Sequence, residues 1–365
     1  MMDTPHPYSA LTPDCALDAL DRTGLRADGR LLALNSYENR VYQMGVEDAQ
    51  PVVVKFYRPE RWRDAAILEE HAFTAELAER EIPVVAPLIL NGATLHPQEV
   101  GRGCKDAEAS TTTLHPQGVG RGCKDAEAST TTLHQHAGFR FAVYPKQGGR
   151  MPEFDRADTL EWMGRFLGRI HAVGATADFA HRPALNLETF GYASRDVLRN
   201  GRWLPADLIA AWDSVVEHAL ASVAHCYERA GRVHAIRLHG DCHVGNVLWT
   251  EAGPHFVDFD DSRMGPAVQD LWMLLSGERE AQQAQMSAIL KGYEDFMEFD
   301  PRELHLVEAL RTLRLIHYAA WLARRWNDPA FPAAFPWFNT QQYWQARILE
   351  LREQIALMDE PPLAV

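Results

Sequence analysis

Apolar residues recur at helical spacing early in the chain, where Ala16, Leu17 and Leu20 follow Thr12 and Pro13, a pair suited to a helix start, and the pattern stops at Gly24. The next two segments, LLALNSYENRVYQM and PVVVKFYRPERW, are rich in β-branched and aromatic residues and are joined by the polar stretch GVEDAQ. They predict an antiparallel hairpin with Lys55 on its second strand. Helical spacing returns in DAAILEEHAFTAELAEREIPVVAP through Ile67, Leu68, Phe73 and Leu77. FAVYP, ending at Pro145, reads as a further strand that runs into a glycine pair. Helices follow: DTLEWMGRFLGRIHAVGA puts Leu160, Met163, Leu167 and Ile170 on one face, and PADLIAAWDSVVEHALASVAHCYERAG is a second long helix. This order predicts an α+β fold of two lobes, a small β-rich one over residues 1–145 with one key helix and a larger, mainly helical one over residues 146–365.

Residues 95–132 break the pattern. LHPQEVGRGCKDAEASTTT is followed at once by LHPQGVGRGCKDAEASTTT, a tandem duplication that differs only at Glu99 versus Gly118. Two copies are too few for a solenoid. With only Leu and Val as sizeable apolar residues, each copy buries too little surface to offset its ordering entropy. The duplication therefore reads as an exposed, mobile extension of a hairpin between strands near Val84–Leu90 and Phe139–Tyr144.

Composition adds constraints rather than a function. With 46% apolar and 24% charged residues in 365, the chain is that of an ordinary soluble globular enzyme with a substantial core. Its net charge of -14 argues against nucleic acid as a main partner. The five cysteines form no CxxC pair and are odd in number, so reduced thiols in the cytoplasm are expected. No secretory signal is expected at MMDTPHPYSALTPD, and no apolar run approaches the ~20 residues of a membrane span.

The chemistry concentrates in IRLHGDCHVGNVLWTEAGPHFVDFDD, from Ile236 to Asp261. Two apolar runs, Val233–Leu238 and His255–Phe259, flank a turn that carries Asp241, His243 and Asn246, and Asp258 sits on the second run. Singly, such residues are turn formers and caps. Together they suit phosphoryl transfer, which needs charge neutralisation on nucleotide phosphates, positioning, and an acceptor for the incoming hydroxyl's proton. Asp241 is placed to accept that proton, and Asn246 and Asp258 offer hard oxygens to Mg2+. His239 is expected to brace the loop backbone, and His243 to face solvent or pack the loop. Asp270 is expected either to cap the helix it opens or to be a buried partner of the catalytic loop. Lys55 also needs an explanation, because an ammonium inside the run from Val52 to Tyr57 is costly unless paired. It either points to solvent from an edge strand or pairs with Glu69 or Glu70 of the following helix, the ion pair that positions nucleotide phosphates in kinases.

H-G-D-x4-N followed by V-D-F-D-D resembles the signatures of the kinase-like phosphotransferases, the superfamily of aminoglycoside and choline kinases, which parallel the H-R-D and D-F-G elements of protein kinases. LNSYENRVYQ, VVVKFYRPERW, ILEEH, RLHGDCHVGN, DDSRMGPAVQDLWMLL, WLARRWNDPAFP and the EPPL tail are similar to the bacterial stress response kinase A family over nearly the whole chain apart from residues 95–132. The resemblance implies a bilobal protein-kinase-like fold and a cytoplasmic, monomeric, Mg2+- and ATP-dependent serine/threonine protein kinase linked to envelope and oxidative stress. By motif position it makes Asp241 the proton acceptor, Asn246 and Asp258 the Mg2+ ligands, and Ser36 and Lys55 part of the ATP site. Glu70 matches the family's helix glutamate better than Glu69 does. No glycine-rich loop precedes Lys55; NSYENR stands there, and Ser36 with backbone amides near Asn35–Asn39 is expected to hold phosphate oxygens. The short run from Asp258 to Asp270 leaves no room for a long activation segment. The alternatives are a small-molecule kinase whose acidic, aromatic acceptor pocket draws on Asp260, Asp261 and the tryptophan-rich C-terminal part, and a pseudokinase, disfavoured because the whole residue set is present. Trp321, Trp326, Trp337 and Trp344 read as core packing or as an aromatic wall beside the acceptor.

Overall fold

Strand periodicity decides which face of the N-terminal sheet carries chemistry. The computed structural model describes residues 6–91, 130–154 and 156–365. Within it, β1 (Ala27–Ala33), β2 (Arg40–Val46), β3 (Val52–Phe56), β6 (His134–His136) and β7 (Phe139–Pro145) form one antiparallel sheet in the order β1-β2-β3-β7-β6. In β3, Val52, Val54 and Phe56 point to the face covered by α1 (Pro13–Asp21), where they join Leu11, Leu20, Met44 and Phe141 in one apolar cluster. Side chains alternate along a strand, so Lys55 emerges on the opposite face, against α2 (Asp64–Glu79). There Tyr57, Ile67 and Ala142 pack together. Thr12 caps α1 by accepting from the Cys15 amide at 3.2 Å, as its sequence predicts.

The expected hairpin is present as β2 and β3, but the segment before GVEDAQ divides into two strands, with NSYENR turning between β1 and β2. Leu68, expected on the apolar face of α2, is 43% exposed, while Ile67, Phe73 and Leu77 are buried. A short ribbon pairs β4 (Leu90–Asn91), just before the duplicated stretch, with β5 (Thr130–Thr131) at its end. Its predicted exposed extension, apart from residues 130–132, lies outside the described residues.

The larger region is built on α3 (Ala157–Gly174), α4 (Ala193–Asn200) and α5 (Ile209–Ala230), then α6 (Val268–Trp272), α7 (Arg279–Tyr293), α8 (Val307–Arg325), α9 (Ala330–Ala334) and α10 (Gln341–Asp359). Leu160, Met163, Leu167 and Ile170 of α3 are all buried in its core. α3 and α7 pack so closely that a Cβ on Gly164 would lie 2.0 Å from the Ile289 carbonyl oxygen, so glycine is what permits the contact. Phe73 and Leu77 of α2 belong to this second core, while Ile67 belongs to the sheet side. α2 thus ties the two lobes together and fixes the glutamates it carries against both.

The stretch from Ile236 to Asp261 lies on short strands between α5 and α6. β8 (Ile236–Leu238) pairs antiparallel with β11 (Arg263–Gly265), and β9 (Val247–Thr250) forms a hairpin with β10 (Gly253–Phe256). Two details differ from the sequence reading. VLWT, which falls in the stretch expected to be a turn between the two apolar runs, forms a strand, and Asp258 stands past the end of β10 in a left-handed conformation, φ 61°, instead of on the strand. Among the described residues, no helix is long and apolar enough to cross a membrane.

Candidate active site

The loop after β8 is held by a buried carboxylate. Asp270, in the first turn of α6, accepts from the backbone amides of His239 (2.8 Å) and Gly240 (2.9 Å), and its Oδ2 lies 3.1 Å from His171 Nε2. Of the two roles open to Asp270, the structure shows the buried partner; the helix cap position belongs to Ala267. Gly240 has φ 86°, and a Cβ there would sit 2.2 Å from the Asp261 carbonyl oxygen, so the loop can close on the Phe259–Asp261 turn only with glycine. His239 Nε2 lies 2.9 Å from the Val257 carbonyl, and its Nδ1 accepts from the Asp241 amide at 3.3 Å. A single tautomer satisfies both, and His239 is a brace, as expected. His243 turns back to accept from the Gly245 amide at 2.9 Å, packing the loop.

These contacts present Asp241 and Asn246 together. The Asn246 amide nitrogen donates to the Asp241 carbonyl at 3.0 Å, and the Asn246 carbonyl accepts from the Val257 amide at 3.0 Å, one residue before Asp258. The Asp241 carboxylate is partly exposed, with Oδ1 2.6 Å from Arg314 Nη1 on α8 and Oδ2 3.5 Å from His243 Nε2.

Lys55 crosses from the sheet to this loop: its Nζ is 2.8 Å from Asp258 Oδ1 and 3.7 Å from Asp260 Oδ1. Burial alone would lower the ammonium's pKa, but Asp258, Asp260 and Glu70 outweigh it and hold Lys55 well above the ordinary lysine value. The direct Lys55–Glu70 pair expected from the sequence is not made. Two carboxylates from the large lobe occupy the ammonium, while Glu70 Oε2 has no hydrogen-bond partner and lies 3.9 Å from Arg182 Nη1. Burial pushes Glu70 up to about 7 against the pull of Lys55 and Arg182. Glu69 is committed elsewhere, accepting from the Ala180 and His181 amides at 2.6 and 2.8 Å. Of the two glutamates, Glu70 is the one buried beside Lys55.

Ser36 sits half-buried in the loop between β1 and β2, and its hydroxyl enters no hydrogen bond among the described residues. The loop is fixed by its neighbours. Asn39 accepts from the Arg58 amide and donates to Asp260, both at 3.0 Å, and Glu38 accepts from Trp321 Nε1 at 2.6 Å and pairs with Arg325. Tyr37 meets Phe335 edge-on, ring centroids 4.9 Å apart. Buried Asp328, between α8 and α9, receives Arg40 Nη2 at 3.1 Å and Arg58 Nη1 at 3.0 Å. A loop without a glycine-rich flap is thus anchored to the large lobe by charge and aromatic contact.

Asp260 and Asp261 do not form an acidic acceptor pocket. Both pair with Arg61, Asp260 also approaches Lys55, and Asp261 also pairs with Arg263. Burial works to raise the Asp260 carboxyl, and Arg61 and Lys55 hold it below the usual range. Of the four tryptophans, Trp344 is fully buried against Trp212 and Trp326 packs on Phe338, which is core packing; Trp321 reaches the Glu38 loop and Trp337 is 43% exposed.

The donor set fits a hard divalent cation. The Asp258 carboxylate is half exposed, with Lys55 as its only ion-pair partner among the described residues, and the Asn246 amide oxygen remains once its nitrogen has bonded to Asp241. No cluster of three or more His, Cys, Asp or Glu side chains suited to a metal occurs among the described residues. Two protein oxygens are what a small oxygen-preferring ion needs when nucleotide phosphates and water fill its remaining positions. Arg314, Arg61 and Asp328 escaped the sequence reading. Arg314 is 73 residues from Asp241, and only the packing of α8 brings it there.

Residues 30–307 match the model of the phosphotransferase enzyme family. The chain is 43% identical over 356 residues to stress response kinase A of Escherichia coli K12, covering 98% of this chain and 96% of that protein. It is 41% identical over 363 residues to the serine/threonine protein kinase RdoA of Salmonella typhimurium, covering 100% and 98%. Its fold resembles that of the amicoumacin kinase hAmiN (TM-score 0.63, 19% identity, 92% and 90% coverage). It also resembles a microcompartment-associated aminopropanol kinase (TM-score 0.61, 16% identity, 95% and 97% coverage).

Proposed function

The chain belongs to the phosphotransferase enzyme family, in company with the stress response kinase A proteins, and from that premise we propose that this phosphotransferase is an ATP-dependent serine/threonine protein kinase of the bacterial stress response. The observation that carries the reading is the convergence, through the Asp270-braced loop, of a partly exposed carboxylate at Asp241 with the Asn246–Asp258 oxygen pair and buried Lys55. In it, Asp241 orients the acceptor hydroxyl and takes its proton as the γ-phosphoryl group of ATP passes to that oxygen. Asn246 and Asp258 hold Mg2+, which neutralises charge on the phosphates. Lys55, buried near Glu70, and the Ser36 loop contact phosphate oxygens. The lobe boundary falls at residues 145/146, with the nucleotide between the lobes, and the protein acts as a cytoplasmic monomer.

A second reading is a small-molecule kinase. The solved neighbours named as amicoumacin and aminopropanol kinases favour it; the commitment of Asp260 and Asp261 to arginines speaks against an acidic amine pocket here. The test is incubation of the purified protein with labelled ATP and Mg2+, with and without lysate, beside Asp241→Ala. Label on protein serine or threonine, absent in the variant, is the expected result. Turnover only with small-molecule extract moves the assignment to a metabolite kinase, and retained transfer in Asp241→Ala overturns the base.

A further inference from the structure

Three arginines beside the loop after β8 each donate two or more hydrogen bonds. Arg182 donates to the carbonyls of Ser262, Ala66 and Asp260; Arg263 to the Asp261 carbonyl and carboxylate; Arg61 to Asp260 and Asp261. Arg314 differs. Its side chain is 39% exposed, and Asp241 is the only acceptor on it among the described residues, leaving most of its five N–H donors free. A guanidinium with an unspent planar fork, reachable by solvent and 2.6 Å from the carboxylate where the acceptor hydroxyl must dock, sits where a substrate's neighbouring group arrives. One turn along α8, Tyr318 is half-buried; burial raises its phenol, and Arg314 and Arg347 pull it back. Arg347 itself is paired with Glu350.

We infer that Arg314 selects the acceptor: it receives an anionic group, a carboxylate or phosphate, carried next to the hydroxyl that Asp241 deprotonates, and it repels acceptors with a cation there. For the protein-kinase reading on which this rests, the substrate is a serine or threonine with an acidic or phosphorylated neighbour. The chemistry is a charge-assisted, bidentate-capable pair with a partner that also draws Arg314 off the Asp241 oxygen as the hydroxyl takes its place. A like charge a few ångströms from Arg314 meets repulsion instead, which makes the selection two-sided.

The experiment compares the wild type, Arg314→Ala and Arg314→Glu on a serine/threonine peptide library scanned with Asp or Lys at each position around the hydroxyl. A second pair of acceptors, a three-carbon hydroxy acid and a three-carbon amino alcohol, is run alongside. Expected is at least a tenfold preference in kcat/KM of the wild type for Asp at one position, lost in Arg314→Ala and turned toward Lys in Arg314→Glu. Equal selection in all three proteins, or a wild-type preference for Lys, overturns the inference. So does an equal loss on every acceptor in Arg314→Ala, because Arg314 would then serve the transferred phosphoryl group and not the acceptor. If only the small molecules are phosphorylated, the protein-substrate reading falls, and the acid-versus-amine contrast still decides the role of Arg314.

Discussion

Lys55 Nζ lies 2.8 Å from Asp258 Oδ1, so the cation of the small lobe rests on the carboxylate that we propose holds Mg2+. A divalent cation and an ammonium compete for that oxygen, and Glu70, buried and without a hydrogen bond on Oε2, stands ready as the alternative partner of Lys55. Asp258→Asn is therefore expected to lose about tenfold or more of the ATP affinity that Mg2+ confers on the wild type. Affinity for ATP without Mg2+ should hold or improve, because a carboxylate that repels phosphates is gone. Titration of a fluorescent ATP analogue with and without Mg2+ reads both. An undiminished Mg2+ effect in the variant removes Asp258 from the ligand set.

Asp270 makes a different kind of contribution, since it faces the backbone of the catalytic loop and not the substrate. Its two oxygens accept from two amides and face His171. In Asp270→Asn one of the two positions becomes an NH2 group facing an N–H donor, so even this isosteric change should cost about 1–3 kcal/mol of stability. kcat should fall with the KM for ATP little changed. Urea denaturation and steady-state kinetics together check it; a normal kcat in a destabilised protein would limit Asp270 to folding.

Much of this site was legible because its residues are close in sequence. Asp241, Asn246 and Asp258 sit on one stretch, and H-G-D-x4-N with V-D-F-D-D resembles the signatures of the kinase-like phosphotransferases. Lys55 was legible for another reason: an ammonium amid Val52, Val54 and Phe56 contradicts the burial pattern around it unless it has partners. Which partners it takes was not legible, because Asp258 and Asp260 come from residues about two hundred positions away and compete with the local Glu70. The same holds for Arg314 on Asp241 and for Asp328 under Arg40 and Arg58, pairings set only when α8 and α9 pack beside the loop. Among secondary elements, the apolar stripes of α3 and α5 were clear, whereas VLWT of β9 is too short for its period to show.

Glu303 gives the fold a pH dependence. It is buried just before α8, where its Oε2 accepts from the Val268 amide at 2.8 Å. Burial pushes its carboxyl up to about 7, with the Val268 amide opposing. A folded pKa above the unfolded value of 4.5 means that this group's contribution is full below pH 4.5 and is lost as pH rises through 7. The loss is up to about 3 kcal/mol. Glu303→Gln keeps an oxygen for Val268 without the titration, so its stability relative to wild type should grow between pH 5 and pH 8. Denaturant midpoints measured across that range give the difference directly, and parallel curves for the two proteins would sink the assignment. Glu70, also pushed up to about 7, acts in the same direction and stays in both proteins.

Asp328 holds the loop between β1 and β2 against the large lobe, and its removal separates anchoring from chemistry. It is 1% exposed and accepts from Arg40 and Arg58 of the small lobe as well as from the Ala330 amide at 3.1 Å. Asp328→Ala strands two guanidiniums that have little water to turn to, a loss on the order of 3–5 kcal/mol. Asp328→Asn keeps the shape and one acceptor oxygen and should lose less. Because the loop carries Ser36 and Glu38 but not Asp241, the released loop should raise the KM for ATP several-fold while kcat at saturating ATP falls less. Kinetics at temperatures well below the melting point of each variant make that comparison independent of the fraction unfolded. If kcat falls and the KM for ATP does not move, the Asp328 contacts position the catalytic loop through α8, and the loop between β1 and β2 does not need its anchor to hold nucleotide.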